Sequence, residues 1–555
     1  MEVLFSIFTI FIIYITLYSY GSVLSKKIFE QSNIDIFFRI LTGYIFIGTI
    51  ALIYHFFFEL NNTFSIIIII FGLIIFFLNK SLISKENFFI PVLIISCSSF
   101  FLFAYSDHPI DSNIYHHPYV SYLKSEKIIF AIANIQFRFG HISFLQYVQA
   151  ALTNDYLHNI SLGIINIIFY ISFLIFAANK IFKSKKLNFD FLIIILFSSF
   201  LLIKFARYRE YGNDLIPLLI SIYLFINIVN IQNKFSLSRE NLINLFLPFV
   251  AIMFMHKLSY IAACLIFFPI FINLKAKSIN KIKISSLVIF LIMISSWLIK
   301  NFITTSCFAY PIVSSCFSNS IFALYGLATP ESASWLTEIW SKGFVDHPNW
   351  QNINLKDYAS GFNWVPTWAG GHFLKILEIL SPLFFVIVIF SLYIFLKKDE
   401  YLKRKIVFHF NVTYIYLWFS LFFGLLLWFY KAPVFRFGSF YIISIIIFSY
   451  ILLLDSFFYL KRSFKLNFFK IIFIICIIFF FSKNILRIND SNNSFFPKTF
   501  NFENLEEFSL NNFEELKMLR PIQSGLCYYT NSICSHEISK NIKIKKLGKY
   551  YVIAK

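Results

Sequence analysis

Asp107, His108, Asp111, Tyr115, His116 and His117 fall in one polar stretch, SDHPIDSNIYHHPY, which begins at Ser106 directly after an apolar run. Carboxylates can serve as general bases toward a hydroxyl, imidazoles can orient or donate, and the same residue types can ligate a metal. Each residue also has a bland reading. Asp107 can cap the end of the preceding apolar segment and Asp111 the start of the next helix, through a side-chain oxygen and a backbone N–H. The two aspartates would share a face at i, i+4 in a helix, but Pro109 between them favours a turn. The density of ionisable groups at the edge of an apolar run turns the cluster as a whole toward chemistry. Metal binding by His116-His117 is the lesser expectation, and the sequence leaves the metal unknown.

Further cations sit near the ends of other apolar runs: Lys204, Arg207 and Arg209 ahead of Asp214, Lys300 beside Asn301, and Lys431 and Arg436 around Pro433. A lipid-linked phosphate gives one reason for them, since guanidinium forks match phosphate oxygens. Headgroup anchoring, or pairing with Glu210 and Asp214, is the alternative. Trp335, Trp340, Trp350, Trp364 and Trp368 can stack on sugar faces or lie in the interface as an aromatic belt.

The elements that must hold these residues are apolar. Of 555 residues, 58% are hydrophobic and only 14% charged, which excludes an ordinary soluble domain. The formal charge of +20 would raise nucleic-acid binding in a soluble chain. Here the Lys and Arg gather in short clusters between apolar runs, as cytoplasmic loops of a membrane protein require, so no nucleic-acid partner is expected. About fourteen runs are long enough for about 30 Å of hydrocarbon. The residues around His256-Lys257 read either as a tight turn between two spans or as one broken helix. The N-terminal run lacks a basic leader and reads as the first span.

Placing the basic clusters inside predicts both termini on the opposite, periplasmic side of a bacterial inner membrane. A transmembrane domain over 1–483 then carries outer loops at 106–159, 206–214, 301–372 and 431–438, and residues 484–555 form a small α+β appendage. In that appendage Phe502–Leu519 reads as a helix ended by Pro521, and Lys549–Ala554 as a strand. The outer placement makes Cys307 with Cys316 and Cys527 with Cys534 candidate disulfides, with free thiols as the alternative. Cys97, Cys264 and Cys476 lie inside apolar runs as small hydrophobes.

An acidic residue opening a long outer loop, basic residues at other outer span ends and an outer C-terminal appendage together resemble the GT-C class of integral membrane glycosyltransferases. Asp111-Ser-Asn-Ile-Tyr115-His116, Asn134-Ile-Gln-Phe-Arg138-Phe-Gly140, Arg207-Tyr-Arg-Glu-Tyr-Gly212-Asn-Asp214, Trp297-Leu-Ile-Lys300-Asn301 followed by Ser306-Cys307 and Pro311, and Arg436-Phe-Gly438 are similar to the signatures of an uncharacterised bacterial family of that type. In the class the acidic residue follows the first span, whereas here it follows about the fourth. The resemblance implies an all-α transmembrane, GT-C-like fold. It also implies transfer of a sugar from a polyprenyl-phosphate donor to an envelope glycan or lipid acceptor. Asp111 would be the base with Asp107 assisting and His116 orienting. Arg138, Arg207, Arg209, Arg436 and Lys300 would hold the donor phosphate, and Tyr115, Asn134, Trp364 and Trp368 would contact substrate. The rivals are a flippase or transporter of lipid-linked glycan precursors, which would place ionisable residues at mid-span, and a non-catalytic envelope-assembly component.

Overall fold

The protein is seen here as a computed structural model that describes residues 1–29, 35–79, 89–105, 110–185, 187–204, 212–229, 239–272, 283–349, 351–396, 412–457, 466–492, 494–500, 505–507, 516–522, 525–538 and 542–554. Asp107, His108, Arg207, Arg209 and Trp350 lie outside the described residues. The chain is mostly helical. It opens with α1 (Glu2–Phe29), α2 (Ile36–His55), α3 (Asn62–Leu78) and α4 (Phe89–Phe103), followed by two short helices, α5 (His117–Ser125) and α6 (Phe144–Leu152). Then come α7 (Ile164–Lys183), α8 (Phe189–Ile203), α9 (Leu215–Val229), α10 (Arg239–His256), α11 (Phe268–Ile272) and α12 (Ile284–Thr305). The last are α13 (Pro330–Ser341), α14 (Leu374–Leu396), α15 (Val412–Lys431), α16 (Phe435–Phe457) and α17 (Asn467–Asn489).

Apolar runs of this length become helices because a lipid interior offers no partner for backbone N–H and C=O, so each segment must pair its own. Among the described residues, eight are long and apolar enough to cross a membrane: α1, α2, α7, α12, α14, α15, α16 and α17. Six further apolar helices are shorter, at 10–17 residues. Burial sorts the eight. In α1, α2, α7 and α16, 67–72% of the apolar window is buried, against 22–33% in α12, α14, α15 and α17, so the first group forms the centre of the bundle and the second its rim.

The region around His256-Lys257 is a hairpin. Residues Leu258–Phe267 form a 3₁₀ helix that runs back along α10, with Phe267 ring centroids 5.0 Å from Phe246 and 5.3 Å from Phe249. Lys257, in extended conformation, is its tip.

The long loops gather at one end of the bundle. Leu60 N–H bonds Leu123 O, Ile128 N–H bonds His55 O, Ala131 N–H bonds Ile303 O and Tyr105 N–H bonds Phe495 O. The N-terminus joins them, with Glu2 3.6 Å from His158 and the His158 ring 4.3 Å from Phe496. Cys307–Cys316 and Cys527–Cys534 are disulfide-bonded at this end. Of the remaining cysteines, Cys97 is exposed and Cys476 buried.

The described residues of the C-terminal segment include a small sheet region, and residues 502–504 and 508–515, which fall in the expected helix, lie outside the described residues. Helix α17 runs past residue 483 to Asn489, and the described residues beyond it form strands and loops. Leu505–Glu507 is a strand (β1) pairing antiparallel with Met518–Pro521 (β2), which pairs in parallel with Ile533–Cys534 (β3). Leu505–Glu507 and the start of Met518–Pro521 lie where the sequence reads as helix, because these two short segments find each other as ladder partners, a tertiary pairing that outweighs local propensity. Lys543–Leu547 (β4) and Tyr550–Ala554 (β5) form a second hairpin, the latter at the expected strand.

Candidate functional site

Asp111 stands at the first turn of the segment that enters α5. Residues Ser112–His116 form a π-turn, in which the His117 N–H reaches back five residues to Ser112 O. Pro118 has no N–H, so the Asn113 carbonyl is left without a partner inside the helix. The C-terminal segment supplies it, with the N–H groups of Cys527 and Tyr528 donating at 3.0 and 2.9 Å. Thr530 N–H donates to Ser121 Oγ (2.8 Å) and Ser535 Oγ to Ile135 O (3.2 Å), clamping the same loop. Its entry is held from α17, where the Arg487 guanidinium donates to the carbonyls of Ala104 and Tyr105 beyond the end of α4.

The capping reading of Asp111 can be decided. Its backbone is already helical (φ −53°, ψ −34°) and its side chain makes no capping bond. The carboxylate faces Arg436 instead, with Oδ2 3.7 Å from Nη1, and the Asp111 side chain is 47% exposed. Two further ion pairs complete the cluster. Lys257 Nζ binds Asp214 Oδ1. Arg138 Nη1 donates to Glu537 Oε1 at 3.1 Å, while Glu537 Oε2 accepts the Phe137 N–H at 3.2 Å. The Phe437 ring lies between two cations, 5.0 Å from the Arg436 guanidinium and 3.7 Å from the Lys257 ammonium. Trp340, half exposed, forms a second platform 5.1 Å from Arg436.

Tyr115 and His116 are the hub. Burial pushes the Tyr115 hydroxyl pKa up, Asp111 and Asp214 push the same way, and Arg436 and Arg138 oppose them. Burial lowers the His116 pKa to about 4; Asp111 and Asp214 oppose that shift, while Lys257 and Arg436 reinforce it. Asp111, Asp214, Arg138, Lys257 and Arg436 thus act on two adjacent side chains. His141 is lowered to about 4 as well, by burial first and then by Arg138, Lys257 and Lys300.

Lys300 lies beneath the cluster, fully buried, 4.5 Å from Trp297, 6.0 Å from the Tyr119 ring and 3.3 Å from Asn301 Oδ1. Hydrogen-bonding capacity is left over. Arg436 Nε, His141 Nε2 and both amide atoms of Gln136 are buried without a hydrogen-bond partner among the described residues. Buried polar groups left open in this way mark places where water or a ligand completes the network.

The glycines of the two short motifs have steric causes. A Cβ on Gly140 would come within 2.5 Å of the Tyr310 ring, and one on Gly438 within 2.5 Å of Trp428. Both permit an aromatic ring to back the segment that carries the neighbouring arginine.

Of the residues singled out by sequence, Asp111, Tyr115, His116, Arg138 and Arg436 come together. Asn134 spends its amide elsewhere: Nδ2 donates to Ala323 O and Ile553 O at 3.1 Å each, and Oδ1 accepts the Tyr325 N–H, pinning the 301–372 loop to the last strand. Trp364 is fully buried 6.1 Å from Trp368, whose Nε1 donates to Pro433 O (2.6 Å), so the pair supports the Arg436 loop from behind. Lys257 and Glu537 were not foreseen as site residues. The signal for Lys257 is a lone cation at the tip of a hairpin between two apolar runs. Glu537 carries none, being 399 residues from Arg138. Among the described residues no group of three or more His, Cys, Asp or Glu converges as a metal centre.

A multi-pass membrane protein with an ionic cluster among its loops is what the fold and the site define. The chain belongs to the family described as "Domain of unknown function (DUF8201)", whose model matches residues 3–443. No curated protein and no solved structure matches it. The matched span includes Asp111, Arg138, Asp214, Lys257 and Arg436, whereas Glu537 lies beyond it.

Proposed function

We propose that this protein is a GT-C-like glycosyltransferase of the bacterial inner membrane. It crosses the membrane about fourteen times, through the eight long helices and the six shorter ones, with both termini and the ionic cluster on the periplasmic face. The observation that carries the reading is an uncapped, half-exposed Asp111 set against Arg436, with Lys257 and Arg138 grouped around the same Tyr115-His116 hub. Asp111 takes the proton of an acceptor hydroxyl, and the freed oxygen attacks the anomeric carbon of the donor sugar. The bond from that carbon to the donor phosphate oxygen breaks, with inversion. The departing polyprenyl phosphate carries away the electron pair, and Arg436, Lys257 and Arg138 stabilise its charge.

Concentration of the ion pairs among the loops, away from mid-span, supports transfer over transport of a lipid-linked glycan. The test is a binding measurement with the full chain in lipid vesicles carrying polyprenyl phosphate. Native mass spectrometry should find the lipid retained by the wild type and lost from the double variant Arg138→Gln, Arg436→Gln. Equal retention by both would refute the assignment of these arginines.

A further inference from the structure

Gln146, on α6, has a role that its neighbours define. Helix α6 opens with a capping box, in which the Gln146 side chain reaches back to Ser143. Gln146 Oε1 accepts the Ser143 backbone N–H at 3.1 Å and the Ser143 hydroxyl at 2.8 Å. A backbone N–H can only donate, so the amide has one orientation here, oxygen toward Ser143 and nitrogen away from it. That nitrogen, Nε2, lies 2.9 Å from Nδ1 of His116. Nε2 can only donate, and Nδ1 must therefore hold a lone pair.

We propose that Gln146 is a positioning residue that fixes His116 as the neutral tautomer protonated at Nε2, so the ring meets the cluster as an N–H donor and not as a base. The relation to Asp111 chemistry rests on the transferase reading above; the tautomer itself does not. Charged groups in electrostatic reach of the ring are Asp111 and Asp214, which favour a second proton, and Lys257 and Arg436, which oppose it. Burial lowers the His116 pKa further. A second proton would also set an N–H of the ring against an N–H of the amide at hydrogen-bonding distance. His116 is thereby withdrawn from competition for the acceptor proton, which leaves Asp111 as the base. The Nε2–H is free to bond a carboxylate or a phosphate oxygen.

Gln146→Glu is the informative variant. Glutamate makes the same capping box with Ser143, so the helix start is kept. The atom facing His116 becomes an acceptor, and Nδ1 must then carry a proton. The measurement is ¹⁵N NMR of the full chain in bilayers with labelled histidine, the His116 signal being identified by its loss in His116→Gln. At about one pH unit below the ordinary histidine pKa of about 6.5, wild-type His116 should be neutral with Nδ1 unprotonated. In Gln146→Glu it should be protonated at Nδ1, and surface glycan output should fall about tenfold or more at normal protein level. A wild-type ring protonated at Nδ1, or a His116 signal unchanged by Gln146→Glu, would overturn the proposal even if glycan output fell. A shifted signal with full glycan output would uphold the tautomer and count against the transferase reading instead.

Discussion

Two aspartates stand at helix starts in this protein, at opposite ends of the bundle, and they are held differently. Asp35 precedes α2 in an extended conformation and spends both oxygens on neutral donors, the Phe38 N–H at 2.9 Å and the Tyr223 hydroxyl at 2.8 Å. Asp111 caps nothing and faces Arg436. One turn into α2, Arg39 donates to the Tyr18 hydroxyl at 2.7 Å and Ser22 Oγ at 3.3 Å, while its counterpart at the other end, Arg436, keeps a buried Nε without a partner among the described residues. The first arrangement is drawn from three packed helices, α1, α2 and α9, and both carboxylate oxygens are hydrogen-bonded. The second is assembled from six separate positions along the chain and leaves donors unspent. A polar group kept for stability is fully satisfied, whereas one kept for a ligand is left open.

Substitution at Arg436 should separate the two ends most sharply. Arg436→Gln removes the charge opposite Asp111, and glycan output should fall by about 10²–10³ at normal membrane level if that charge stabilises the leaving phosphate. Arg39→Gln should leave output per molecule unchanged, and an equal loss from both would erase the distinction. The clamp on the Asp111 loop comes next. Opening the short Cys527–Cys534 loop with Cys527→Ser, Cys534→Ser should cost about 2–3 kcal/mol, read as a lower thermal midpoint in detergent. A midpoint equal to that of the wild type would show that the clamp does not depend on the disulfide. Asp35→Ala should cost about 1 kcal/mol through the lost cap, and Asp35→Asn much less, because asparagine caps almost as well. Thermal melts of the two variants check this.

The pH dependence of stability is a separate check on the same site. His116 and His141 are both lowered to about 4, mainly by burial, so they stay neutral in the folded protein while the unfolded chain binds protons below about 6.5. The unfolded state then binds more protons between those values, and stability should decline as pH falls from about 6.5 toward about 4. Melting midpoints across that range should fall, with a shallower fall in His141→Asn. A flat profile would mean that these rings are solvated.

Much of the architecture was legible from run length, because a helix long enough for a membrane must be written as consecutive apolar residues. Asp111 and Arg436 were legible for a related reason, since charges next to such runs are costly and stand out, whereas Arg138 was legible only through the family resemblance. The strands Leu505–Glu507 and Met518–Pro521 were not, since their pairing with each other depends on a contact that local propensity does not encode. Nor could sequence show that Asn134 is committed to three backbone groups, that Trp364 is buried behind the Arg436 loop, or that Glu537 reaches Arg138. Those facts depend on which distant segments meet. The identity of the residue opposite a visible charge is the part that folding alone supplies.

The central claim is that Asp111 is held for proton transfer, and Asp111→Asn tests it most directly. Asparagine keeps the shape and the ability to cap but cannot take a proton. In a deletion strain complemented with this variant, surface glycan should fall by about 10² or more while the protein stays at its normal membrane level. Full glycan output at that level would contradict the account.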